Sequence, residues 1–98
     1  MKLEGKVAMV TGTSPNIMGG IAEGLAAEGA DLVCIDINSR YAEQCAKSVT
    51  NAGRRAIAIA CDVTDEAQVT AAVAQAKEAF GGVDILVNGA TLFNTKGI

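Results

Sequence analysis

Four short apolar runs separated by three stretches of helical periodicity constrain this chain more than any other feature. The runs are Val7–Val10, Leu32–Ile37, Ile57–Cys61 and Ile85–Val87. Each is rich in β-branched residues or alanine, and none alternates with polar residues. Uninterrupted runs of this length suit strands buried on both faces, as in a parallel sheet. Between them, Ile17, Ile21 and Leu25 recur at helical spacing with Ala22 and Ala26 beside them, and Gly29 ends the stretch as a helix-terminating glycine. Tyr41, Cys45 and Val49 form a second stripe, with Asn38 or Ser39 as its cap and Gly53 as its stop. Val69, Val73, Ala76 and Phe80 form a third, stopped by Gly81-Gly82. Thr64 or Asp65 caps it, and Asp65 with Gln68 has the spacing of a capping box.

The expected order is therefore β-α-β-α-β-α-β with short loops. Such alternation specifies an α/β fold, a parallel sheet with helices on both faces. Right-handed crossovers reduce the topology to strand order 3-2-1-4, half of a doubly wound sheet. Composition agrees. Of 98 residues, 50% are apolar but only 3% aromatic, and 18 are alanine and 11 glycine. Small side chains let helices sit close to a sheet, and this apolar content excludes disorder.

Charge and residue usage exclude several classes of function. A net charge of −3 with no basic stripe argues against a nucleic-acid partner. Arg54-Arg55 is the one adjacent basic pair and reads as solvated punctuation after a helix. There is no histidine, which removes Ser–His and Cys–His catalytic pairs and the commonest transition-metal ligand, so no metal site is expected. Cys34, Cys45 and Cys61 show no paired-ligand spacing. They read as small buried hydrophobes in a reducing compartment. No signal-peptide core is present, and no apolar run approaches the ~20 residues that span a bilayer. A soluble, cytoplasmic chain without a membrane partner is expected.

The chemistry concentrates in the loop after the first strand, Thr11-Gly12-Thr13-Ser14-Pro15-Asn16-Ile17-Met18-Gly19-Gly20. A glycine-rich turn between a buried strand and a helix is where a Rossmann-type fold binds pyrophosphate. The helix N-terminus offers unpaired N–H groups and a partial positive charge, and glycines let the backbone approach. Asp36 ends the second run, 24 residues past Gly12. A carboxylate there accepts from both hydroxyls of an adenosine ribose and repels a 2′-phosphate. NAD is thus favoured, while Arg40 offers a phosphate partner and keeps NADP open. Asp62-Val63 follows the third run and Asn88-Gly89-Ala90 the fourth. All four segments fall at strand ends on one edge of the sheet, where open α/β sheets bind ligands.

Several of these segments resemble the short-chain dehydrogenase/reductase family. They are Leu3 through Gly12, Ile21 through Ala30, Cys61-Asp62-Val63-Thr64-Asp65, and Gly82-Val83-Asp84-Ile85-Leu86-Val87-Asn88. The likeness runs without a gap over nearly the whole chain. It implies that residues 1–98 are the N-terminal part of an NAD(P)-binding Rossmann domain. The family's loop is Thr-Gly-x-x-x-Gly-x-Gly. Thr11 and Gly12 match it, while Asn16 and Met18 stand at the second and third glycines. The resemblance implies cofactor contacts from Gly12, Thr13, Ser14, Asn16, Ile17 and Met18, with the Ile17 N–H facing the pyrophosphate. It places Asp36 on the ribose, Asp62 on the adenine amino group and Val63 beside the ring. Asn88, Gly89 and Ala90 match the strand-four Asn-Asn-Ala-Gly motif and would flank the central ribose.

The activity implied is hydride transfer between a nicotinamide dinucleotide and a small-molecule carbonyl or alcohol substrate. That chemistry uses a Ser and a Tyr-x-x-x-Lys pair. The only tyrosine is Tyr41, and Cys45 occupies the Lys position. No catalytic residue is therefore expected within the chain, which alone would be inactive. The alternative is a stand-alone dinucleotide-binding or assembly module without catalysis. With the fourth strand at the sheet edge, an oligomer or an unstable isolated chain is expected.

Overall fold

The computed structural model describes residues 2–13 and 17–89. Its elements alternate as β1 (Val7–Thr11), α1 (Ile17–Ala27), β2 (Asp31–Asp36), α2 (Ser39–Asn51), β3 (Ala56–Ala60), α3 (Glu66–Phe80) and β4 (Ile85–Asn88). The strands form one parallel sheet in the order β3-β2-β1-β4. Fold class, strand order and all seven expected elements are those read from the sequence, with strand boundaries moved by one residue.

Side chains alternate across the sheet and divide the core in two. Ala8, Val10, Leu32 and Cys34 face Ala22 and Ala26 of α1 and Cys45 and Val49 of α2. Val7, Met9, Val33 and Ile35 face Ala72 and Ala76 of α3. Thus α1 and α2 cover one face and α3 the other. Strands β1 and β2 are buried throughout, but β3 and β4 are only half-buried. The expectation of burial on both faces fails for these two because each is an outer strand among the described residues. In β4, Ile85 and Val87 pack on the α1–α2 side, while Leu86 on the opposite side is 63% exposed.

The fully buried positions of α1 and α3 that meet the sheet are alanines rather than their larger apolar residues. Ile21 is 37% exposed, whereas Ala22 and Ala26 of the same helix are buried. In α3 the buried residues are Ala72 and Ala76, and Val73 is exposed. A methyl side chain lets a helix approach the strands closely, so the contact line rotates away from the bulkier stripe.

The turns follow their capping chemistry. Asn38 caps α2, its Oδ1 accepting from the Arg40 N–H at 2.9 Å. Asp65 caps α3, accepting from the Ala67 and Gln68 N–H groups at 3.0 and 3.3 Å. Gln68 does not return the capping-box bond to the Asp65 backbone. Its amide instead donates to Asp65 Oδ2 and accepts from the Asp62 N–H at 2.8 Å. Gly29 terminates α1 with φ +100°, and a Cβ there would lie 3.0 Å from the Glu4 backbone. Both conditions call for glycine.

The Arg54-Arg55 pair is not simple punctuation. Asp31 opens β2 beside the start of β3, and its Oδ2 accepts from Arg55 Nη2 at 2.6 Å and Nε at 3.2 Å. The Arg55 guanidinium also lies 5.0 Å from the centre of the Phe80 ring. Arg54 approaches Asp31 Oδ1 at 3.6 Å. Burial disfavours the Asp31 charge, but the Arg55 bonds and both positive charges outweigh it and hold the carboxyl below its ordinary value. This network ties the amino ends of β2 and β3 to the end of α3.

Candidate functional site at the carboxyl ends of the strands

The registers bring the four nominated segments to one edge. Thr11 is opposite both Ile35 of β2 and Asn88 of β4, and Asp36 is opposite Ala60 at the end of β3. The chain then turns away to α1 on one face and α3 on the other. Strand order reverses between β1 and β4, the kind of position at which open α/β sheets bind ligands.

Gly12 follows β1 with φ +69°, a left-handed turn that glycine enters without strain. Thr13 is buried and donates from its hydroxyl to the Ile35 carbonyl at 3.3 Å. The loop is thereby fixed against the end of β2, one residue before Asp36. Asp36 is 8% exposed. Its Oδ1 accepts from the Asn38 N–H at 2.8 Å, and its backbone carbonyl accepts from the Cys61 N–H at 3.0 Å. No cation pairs with this carboxylate among the described residues. A carboxylate shielded from water, oriented by its own turn and without a counter-charge is suited to hydroxyl donors of a ligand.

Asp62 lies just beyond β3. Its Oδ1 accepts from the Thr64 hydroxyl at 2.6 Å and the Thr64 N–H at 2.9 Å, which together hold its carboxyl below the usual range. These bonds shape the turn into α3, so Asp62 has a local structural task beside any ligand contact. Val63 follows it at the rim. Burial, with the Asp62 and Asp65 charges, pushes the neighbouring Cys61 thiol upward.

Sequence reading matched Thr11 to a motif but gave it no work. Its hydroxyl donates to Asn88 Oδ1 at 2.8 Å and accepts from the Gly89 N–H at 3.1 Å. The Gly89 N–H also reaches the Thr11 carbonyl at 3.2 Å. Thr11 thus stitches the glycine loop to the end of β4. The available signal was a hydroxyl closing an apolar run at the same depth as an Asn closing another. On the α3 side, Met9, Thr11, Ile35, Val63, Leu86 and Asn88 help line an open, mainly apolar depression of about 160 Å³. Ser14, Asn16 and Ala90 lie outside the described residues, and Ile17 and Met18 are described only by their backbone in the first turn of α1. Among the described residues no cluster of His, Cys, Asp and Glu is arranged to hold a metal ion, and no helix is long and apolar enough to cross a membrane.

A sequence model described as short chain dehydrogenase matches residues 6–98. The chain belongs to this family. It is 44% identical over 94 residues to a galactitol 2-dehydrogenase of Agrobacterium fabrum, covering 96% of this chain and 36% of that protein. Among solved structures it resembles a short-chain dehydrogenase/reductase of Serratia marcescens, with a TM-score of 0.84 and 42% identity over 91% of this chain and 37% of the other. An NAD+-bound xylitol dehydrogenase superposes with a TM-score of 0.84 at 37% identity, over 88% of this chain and 33% of the other. The chain therefore spans about a third of the length of the relatives it matches.

Proposed function

We propose that this chain is the dinucleotide-binding part of an NAD-dependent oxidoreductase acting on a small-molecule alcohol or carbonyl compound. The observation that carries the reading is Asp36, a buried carboxylate at the carboxyl end of β2, oriented by the Asn38 N–H and unpaired with any cation among the described residues. It fits the two hydroxyls of an adenosine ribose and opposes a 2′-phosphate, so NAD is preferred over NADP. Membership of a family of dehydrogenases and the likeness to an NAD+-bound xylitol dehydrogenase support the same reading.

When bound, the dinucleotide would supply a nicotinamide ring that accepts or donates hydride. The chain's own residues hold it. Gly12, Thr13, Ser14, Asn16, Ile17 and Met18 form the turn and helix N-terminus that face the pyrophosphate. Asp36 fixes the adenosine ribose, with Asp62 and Val63 at the adenine. Asn88, Gly89 and Ala90 would flank the central ribose, with Asn88 and Gly89 held by Thr11. The acid–base chemistry on the substrate is assigned to residues of the whole protein beyond this chain. We place the protein in the cytoplasm and expect it to assemble as a homo-oligomer.

Isothermal titration with NAD and NADP tests the reading. Saturable NAD binding, weaker NADP binding and loss of NAD affinity in Asp36→Ala are expected. Removing one or two charge-assisted hydrogen bonds at roughly 1.5–3 kcal/mol each lowers affinity at least about tenfold. Equal NAD binding by wild type and Asp36→Ala would refute the assignment.

A further inference from the structure

Strand β3 is the outer strand on the side of the sheet away from β4, and among the described residues nothing pairs with its outer edge. The Arg55 carbonyl accepts from the Leu32 N–H, and the Cys61 N–H donates to the Asp36 carbonyl. These two positions therefore turn their backbone groups toward β2. Backbone direction alternates along a strand, so Ala56, Ala58 and Ala60 turn their N–H and C=O groups outward. Ala58 and Ala60 are also exposed. Sheet edges are ordinarily blunted by proline, charge or a bulge. Ala56–Ala60 contains no proline and no charged residue, and it keeps regular register with β2 through its whole length.

The sequence of the strand selects the partner. Ala-Ile-Ala-Ile-Ala reads the same in both directions about Ala58, so a second copy running antiparallel presents an identical edge. With a two-fold axis at Ala58, that residue faces its own counterpart and Ala56 faces Ala60 of the second copy. These are the outward-turned positions, and residues so opposed exchange both N–H···O=C bonds. Ile57 comes level with Ile59 of the second copy on the α3 side, where both already pack against the core, and the two form an aliphatic cross-strand pair. Charge agrees with the same register. Beyond the strand, Arg54 comes level with Asp62 of the second copy, so opposite charges meet at both ends of the pairing and like charges meet nowhere along it. The other outer strand, β4, reads Ile-Leu-Val-Asn and lacks this self-complementarity.

We propose that the outer edge of β3 is a homodimer interface, at which two copies of this chain pair antiparallel about Ala58 and merge their sheets into one. The proposal rests on the homo-oligomer expected above and gives it a defined surface and register. The interface lies on the far side of β2 from β1, so it leaves the β1–β4 side of the candidate site uncovered.

The test is sedimentation equilibrium of the full chain over a range of concentrations, with thermal unfolding of each variant as a check on its fold. The wild type is expected to approach twice its 9.9 kDa mass reversibly. Ala58→Lys sets two like charges against each other on the two-fold axis and should raise the dimer Kd at least about tenfold. Ala58→Pro deletes an N–H that the β2–β3 ladder does not use and should have the same effect. Ala58→Cys, close in size to the wild type, should form a covalent dimer on mild oxidation, read on a non-reducing gel. The opposed Cα atoms would lie about 5.5 Å apart, within disulfide reach. Ala60→Cys, also at an exposed position, should stay unlinked, because its counterpart lies about 13 Å further along the strand. A chain that is monomeric at every concentration overturns the interface and the homo-oligomer together. A dimer that ignores Ala58→Lys, or one that links Ala60→Cys as readily as Ala58→Cys, overturns the interface alone. None of these readouts involves NAD, so the cofactor assignment stands or falls separately.

Discussion

Replacing Thr11 by valine removes a hydroxyl while keeping the branched shape of a buried side chain. Among the described residues two hydrogen bonds are lost, to Asn88 Oδ1 at 2.8 Å and from the Gly89 N–H at 3.1 Å. The second loss is partial, because the Gly89 N–H retains the Thr11 carbonyl at 3.2 Å. A net value of about 1 kcal/mol for a neutral hydrogen bond, plus a fraction for the shared one, gives a destabilisation of about 1–2 kcal/mol. In a chain of this size that lowers Tm by roughly 5–15 °C. Equilibrium urea unfolding of wild type, Thr11→Val, Asn88→Ala and the double variant completes a double-mutant cycle. A coupling of about 0.5–1.5 kcal/mol with an unchanged denaturant slope is expected. Because the stitch joins the glycine loop to β4, NAD affinity falls in both single variants. Additivity of the two substitutions within about 0.3 kcal/mol would show that Thr11 and Asn88 do not act through one another, and would refute the reasoning.

Two further outcomes concern the ends of the elements. The Asp31 carboxyl is held below its ordinary value, so the stability it contributes is present above the unfolded carboxylate range near ~3.9 and disappears as pH falls through the lowered folded value. Thermal unfolding followed downward from pH 7 should show Asp31→Asn less stable at neutral pH by about 1 kcal/mol, a modest figure because Arg55 is 69% exposed and its charge is screened. The gap between the two proteins closes in acid, and a gap that persists unchanged at pH 2 contradicts the pairing. Asp65→Ala removes two bonds to the first turn of α3 and should cost about 0.5–2 kcal/mol in urea unfolding, whereas Thr64→Ala leaves the cap in place.

The fold was largely legible because its signals are local. Apolar runs of strand length, interrupted by helix starts and stops, fix the number and order of elements. The right-handed crossover rule then leaves one simple strand order. Which helix residues touch the sheet was less legible. Periodicity pointed to Ile21 and Val73, but Ala22 and Ala72 are the buried positions, because the distance between layers selects for size as well as for polarity. Asp36 could be found from spacing, since the length of one βαβ unit is nearly fixed. The Asp31–Arg55 bridge and the Thr11–Asn88–Gly89 stitch could not. Each depends on strand register between residues far apart in sequence. A basic residue after a helix, or a threonine at a strand end, carries no local mark of its partner.

The central position of β1 also dictates an order of events in time. Its pairing with β2 joins neighbours along the chain, but its pairing with β4 closes a separation of 77 residues, from Thr11 to Asn88. Closing so long a loop is entropically unfavourable until earlier contacts have shortened it. During vectorial synthesis, β1, β2 and β3 with their helices can assemble while the segment that becomes β4 is still untranslated. The Thr11 hydroxyl meets Asn88 and Gly89 only when β4 arrives. Among the four described strands, the edge of the site next to β1 is thus the latest to mature, and a nascent chain halted before residue 85 carries Asp36 with the Thr11 side of the site still without its β4 partner.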